Sequence, residues 1–133
     1  MRQTRITIIS SSKPHKEDIN KDLQWFCDTL GMFESRDKDN CRYRMFIVLL
    51  NAMKNKHPMS SDEIADKVNL SRGTVVHHLN KMMDGGLIVS RKSRYMLRVN
   101  SLSSLIDELE RDLLTSLEEL RDTARKLDDR LEL

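Results

Sequence analysis

The chain has 133 residues and a mass of 15.6 kDa, the size of one compact domain with an appended helix or arm. Charged residues make up 33% and apolar residues 38%, with 4 Gly and 2 Pro. This mix argues for a helix-rich soluble fold and against a sandwich, a collagen or a disordered polymer. The net charge of +2 hides segregation: residues 1–59 carry +4, 60–70 carry −2, 71–98 carry +5 and 99–133 carry −5.

A local basic stretch is the electrostatic footprint of a nucleic-acid surface, although a solvated basic face gives the same count. The 2 cysteines cannot build a disulfide scaffold or a four-Cys zinc site. The longest apolar run, Met45–Leu50, is far too short to span a bilayer, and the N-terminus alternates instead of forming a signal-peptide block. A reducing, cytoplasmic setting is expected, with no membrane partner.

Arg5–Ile9 is β-branched and partly alternating, which predicts a short strand or extended arm, and Ser10–Pro14 reads as a turn. From Glu17 to about Met32, Ile19, Leu23, Phe26, Cys27 and Leu30 fall at helical spacing, with Gly31 near the stop. Glu34–Asn40 is polar and reads as a connection. Cys41–Lys54 then presents Met45, Phe46, Val48, Leu49 and Met53, the wide apolar face of a buried helix, closed by Lys56-His57-Pro58.

Ser60-Ser61-Asp62-Glu63 fits a capping box, with Ser60 as N-cap and Glu63 reaching back to it. Ile64, Ala65 and Val68 form the stripe of a short helix, Asn69-Leu70-Ser71 breaks it, and Ser71 caps a second helix running to about Asp84. Val75, Leu79 and Met82 recur at i, i+4 and i+7 as the buried face of that second helix. Two short helices joined by a tight turn form a helix-turn-helix. Gly85-Gly86 ends the second helix, where a left-handed cap suits glycine. Leu87–Ser90 and Tyr95–Val99 are strand-like runs flanking Arg91-Lys92-Ser93-Arg94, a β-hairpin with a basic tip. The combination predicts a mainly α fold with a small β-hairpin wing, a winged helix-turn-helix.

Glu63–Leu79 with Gly86-Leu87-Ile88 resembles the helix-turn-helix of ArsR-like winged-helix transcription regulators, and Arg42–Leu50 resembles the helix that precedes it there. The likeness covers about residues 38–99. It implies a homodimeric double-stranded-DNA-binding repressor, in many members released by metal ions. The expected organisation is an N-terminal arm and helix at 1–37, a DNA-binding domain at 38–99 and a C-terminal dimerisation helix at 100–133.

The second helix, about 71–84, is expected to lie in the major groove, with the wing at 87–99 on the flanking backbone or minor groove. Arg72, Gly73, Thr74, Val76, His77, Asn80 and Lys81 face away from the buried stripe. Arg72 can contact guanine with two hydrogen bonds, and Asn80 can read adenine. The resemblance puts Arg72, Gly73, Val76 and His77 at base-reading positions. Val76 stands where family members often carry a small hydroxyl, so apolar contact with a thymine methyl is expected. Thr74 and Lys81 suit phosphate contacts. Arg91, Lys92 and Arg94 would flank the duplex from the wing, one of them entering a minor groove or all of them attracting phosphate. His78 lies nearer the buried face and reads as a semi-core histidine.

After Gly86 there is no Gly or Pro, and residues 101–133 contain ten leucines, which predicts one helix of about 30 residues. Its stripe is Ile106, Leu109, Leu113, Leu117, Leu120, Ala124, Leu127 and Leu131. Two consecutive steps of four at Leu109–Leu113–Leu117 break the heptad as a stutter does. Such a face must be buried, and a second copy of the chain is the simplest partner.

Cys27 and Cys41 each sit in apolar company, which reads as structural burial over thiol sensing. No cysteine falls within 60–84 and no histidine follows His78, so the ligand pairs of ArsR-like metal sensors have no counterpart. No metal, cofactor or catalytic residue is expected, and no enzyme motif occurs. Any effector is left undefined. Two alternatives stay open: a protein-binding winged helix that uses its long helix to pair with a different partner, and a thiol- or metal-responsive sensor.

Overall fold

A computed structural model describes residues 7–9, 13, 18–31 and 40–133, and the chain divides into two compact units, Met1–Arg98 and Val99–Leu133. The expected strand at Arg5–Ile9 and the connection at Glu34–Asn40 fall largely outside the described residues. Thr7–Ile9 carry no strand, although the Ile9 amide donates to the Thr29 carbonyl at 2.8 Å.

In the first unit, α1 (Ile19–Thr29) starts at Asp18, whose carboxylate accepts from the Asn20 amide at 3.0 Å. It is shorter than the helical spacing predicts. Ile19 is exposed, so the apolar face begins at Leu23 and not at Ile19. Cys27 is fully buried, and the Phe26 ring stacks on Phe46 with centroids 6.4 Å apart, which joins α1 to the next helix. That helix, α2 (Cys41–Lys54), has the predicted bounds and buries Met45, Phe46 and Leu49, while Val48 and Met53 are half-buried.

Past α2, Lys56 takes a positive φ of 53°, and the chain enters a two-residue strand, β1 (Met59–Ser60). The helix-turn-helix follows as α3 (Ser61–Val68) and α4 (Arg72–Asp84). Asn69, in the left-handed region at φ 56°, ends α3, a conformation asparagine tolerates better than most residues. The Leu70 amide returns to the Ala65 carbonyl, and the Arg44 guanidinium donates to the Val68 carbonyl, so the last turn of α3 is capped from α2. Ile64, Ala65 and Val68 of α3 are buried with Val75, Leu79 and Met82 of α4.

After α4, Gly86 supplies the left-handed residue at φ 75°. The wing is β2 (Ile88–Arg91) and β3 (Arg94–Leu97), antiparallel, with Ile88 opposite Leu97 and Arg91 opposite Arg94. Only Lys92 and Ser93 form the turn, both with positive φ, the pattern of the tight hairpin turn that matches strand twist. The expected four-residue basic tip is thus half strand. β1 pairs with β3 through Met59–Tyr95 and Ser60–Arg94, giving a three-stranded sheet in the order β1-β3-β2. The chain is mainly helical with a small sheet, consistent with a winged helix-turn-helix.

The second unit is one helix, α5 (Leu102–Leu131), 30 residues long and capped by Ser101, whose hydroxyl accepts from the Ser104 amide at 3.1 Å. Leu105 and Leu109 are buried, whereas Ile106, Leu113, Leu117, Leu120, Leu127 and Leu131 are exposed. Among the described residues no helix is long and apolar enough to cross a membrane.

Candidate nucleic-acid interface

The outward face of α4 is fixed by its buried one. Val75, Leu79 and Met82 are buried, so at 100° per residue the opposite side carries Gly73, His77, Asn80 and Lys81, all exposed. Arg72 and Thr74 are exposed at the N-terminal turn, where the Ser71 hydroxyl caps the Thr74 amide at 3.2 Å and lies 2.8 Å from the Thr74 hydroxyl. Val76 is half-buried, at the border of this face and not in its middle. Six of the seven α4 residues expected at DNA are therefore exposed, but Arg72 lies in line with Val75 and Leu79 and is exposed because it sits at the first turn, not because it faces away from the buried stripe; Val76 edges the outward face.

Gly73 adds a separate observation. A Cβ built on it would meet nothing within 4 Å, so packing does not demand a glycine there. Glycine in the middle of a helix costs roughly 0.5–1 kcal/mol relative to alanine, an upper figure for Gly73, the second residue of α4.

Arg72 is held loosely. Its Nε lies 3.5 Å from Asp62 Oδ1, with both side chains largely exposed, and such pairs contribute little and exchange readily. His78 is half-buried and accepts from Arg42 Nε through Nδ1 at 3.2 Å, tying α4 to α2.

The wing separates its three cations. Arg91 and Lys92 are exposed at the end of the hairpin. Arg94 is turned back: its Nη1 donates to the Pro58 carbonyl and to Glu63 Oε1, both at 2.9 Å. Glu63 also meets His57 Nε2 at 3.0 Å, and these partners hold its carboxyl below the ordinary glutamate range, the His57 hydrogen bond contributing most and Arg94 adding to it. The capping box is therefore altered. The Ser60 hydroxyl accepts from the Glu63 amide at 3.1 Å as expected, but the Glu63 carboxylate engages that hydroxyl, His57 and Arg94. Neither Glu63 nor β1 is legible in the sequence as a wing support, because their partners lie more than thirty residues away.

Arg91 and Arg94 stand directly opposite each other in the ladder, a like-charge pair that is unfavourable in a sheet. Glu63 answers the charge of Arg94, while Arg91 stays exposed at the wing end. An anion there would relieve the remaining repulsion.

Residues 47–90 match the family of bacterial regulatory proteins of the arsR type. The match runs from within α2, through both helices of the helix-turn-helix, into β2. Comparisons with curated proteins and with solved structures give no match. An ArsR-type segment supports a DNA-binding transcription regulator and points away from an enzyme.

Among the described residues no group of three or more His, Cys, Asp or Glu side chains is placed to hold a metal ion. Both cysteines are buried, and burial, with the Asp28 carboxylate adding to it, pushes the Cys27 thiol up to about 12. Cys27 is therefore a neutral thiol at physiological pH and a poor nucleophile.

Proposed function

We propose that this chain is a sequence-specific, double-stranded-DNA-binding transcription regulator that acts as a homodimer, with α4 in the major groove and the wing on the flanking backbone. The observation that carries the reading is the outward face of α4. Gly73, His77, Asn80 and Lys81 are all exposed on a helix whose other side is locked into the core, and Arg72 is exposed at its first turn. A protein-binding winged helix would be expected to present apolar residues there.

Arg72 has the fork geometry for guanine, and His77 and Asn80 are hydrogen-bonding groups within base reach. Thr74 and Lys81 serve phosphates, and Val76 offers an apolar edge for a thymine methyl. Arg91 and Lys92 serve the flanking backbone, whereas Arg94 braces the wing. The exposed α5 leucines supply the homodimer contact, and the ArsR-type likeness favours repression.

Selection of genomic fragments by the purified full chain tests the reading. Enrichment of a common motif supports it. Recovery of unenriched sequence at every round would contradict sequence-specific binding.

A further inference from the structure

We propose that Asp62, on the first turn of α3, is a positioning residue that aims Arg72 of α4 at a guanine and so sets base preference through another side chain. The proposal rests on the reading that Arg72 meets a base, and it names what directs the side chain there.

α4 does not direct Arg72 by its own geometry. By helical spacing Arg72 lies in line with Val75 and Leu79, the buried stripe, and it is exposed because α4 begins there. Helical side chains tilt toward the N-terminus, so Arg72 runs off the end of α4, where no preceding turn confines it. An arginine unconfined in this way reaches a phosphate oxygen as readily as a base edge, and a phosphate contact carries no sequence information. Reading a base calls for a second group that fixes the guanidinium.

Asp62 is placed to be that group. Its Oδ1 lies 3.5 Å from Arg72 Nε, between the first turns of the two helices of the helix-turn-helix. The nitrogen engaged matters. A guanidinium held at Nε keeps Nη1 and Nη2 for another partner, and these two can donate together to O6 and N7 of one guanine. A carboxylate across the terminal nitrogens would block that edge. The neighbouring acid, Glu63, is engaged by His57 and Arg94. The two acids of this turn thus divide the cations: Glu63 draws Arg94 back, and Asp62 holds Arg72 by its inner nitrogen.

In the free chain the pair is weak, because the two side chains are 71% and 74% exposed. A duplex laid against these first turns removes water from around the pair, and the attraction rises as the effective dielectric falls. Asp62 therefore contributes little to the fold and acts in the complex. Its charge also repels phosphates, an effect common to every duplex. Comparing affinities on different duplexes removes that common effect.

Fluorescence anisotropy with the full chain tests the proposal. The duplexes are a selected operator, the same operator with each G·C pair in turn replaced by A·T, and random duplex of equal length. Arg72→Ala is expected to lose discrimination of about 5- to 150-fold at one guanine. Asp62→Asn should lose part of the discrimination at that same guanine and keep it at the others, with random-duplex affinity unchanged or raised. In the Arg72→Ala background, Asp62→Asn should not lower the residual preference for operator over random duplex, because a pair that acts through one contact shows its whole effect in the coupling.

Full discrimination at that guanine in Asp62→Asn, or a further loss of preference on adding Asp62→Asn to Arg72→Ala, would overturn the proposal and leave base reading by Arg72 intact. Wild-type discrimination at every guanine in Arg72→Ala would instead remove base reading by Arg72, and the role of Asp62 with it.

Discussion

Gly73 is where the cost of a residue and its use separate most clearly. Nothing in the structure lies within 4 Å of a Cβ at that position, so Gly73→Ala should not clash within the free chain. The variant is expected to be more stable in denaturant titration, by no more than about 1 kcal/mol because Gly73 lies in the first turn, through the helix preference for alanine. It should bind a selected operator more weakly, because the added methyl meets the DNA. Equal stability gain with undiminished affinity would show that nothing approaches this backbone.

Glu63 ties Arg94 of the wing to His57. Its partners lower its folded-state pKa, so the stabilisation is present above the ordinary glutamate range and is lost as pH falls through the lowered value. Thermal midpoints of the wild type and Glu63→Gln should differ at neutral pH, with the variant less stable, and converge on acidification. Parallel curves down to acid pH would contradict a charged Glu63 acting as the brace between Arg94 and His57.

The elements are legible in the sequence to different degrees, and the reasons are physical. The bounds of α2 and the helix-turn-helix read directly, because Ser60 and Ser71 cap helices whose buried positions recur at helical spacing. Gly86 marks the end of α4 for the same local reason. β1 does not read, since two residues carry no periodicity and their strand character comes from pairing with Tyr95 and Arg94. The outward face of α4 is legible as the complement of its buried stripe, apart from the half-burial of Val76. Arg94 is not, because composition alone cannot distinguish a cation aimed outward from one pulled back by Pro58 and Glu63.

That distinction predicts a split within the wing. Replacing Arg91 and Lys92 by alanine should flatten the slope of log K against log salt by about 0.9 for each phosphate that a cation no longer neutralises. Arg94→Ala should leave the slope nearly unchanged and loosen the hairpin, seen as faster amide exchange in β3. A slope change from Arg94→Ala equal to that from Arg91→Ala would put Arg94 on the DNA after all.

In the whole chain, the unit that holds the helix-turn-helix is followed by a helix whose leucines from Leu113 onward are exposed. Leu117 and Leu127 are 42% and 49% exposed, so replacing both by glutamate removes no core of the single chain. Sedimentation equilibrium is expected to give about twice 15.6 kDa for the wild type and mainly monomer for Leu117→Glu/Leu127→Glu, with helical content kept. An unchanged dimer in that variant would place the interface elsewhere. Dimerisation also bears on affinity, since a dimer doubles the phosphate contacts and binds two half-sites.

Arg72 tests most directly whether α4 reads base edges. Fluorescence anisotropy should be recorded for the wild type and Arg72→Ala on a selected operator and on random duplex of equal length, at one fixed salt concentration. A loss of about 1–3 kcal/mol is expected on the operator with random-duplex binding barely changed, because a two-bond contact to guanine carries discrimination. An equal loss on both duplexes would make Arg72 a phosphate contact. Unchanged binding on both would take the N-terminal turn of α4 off the bases and contradict base reading by this helix.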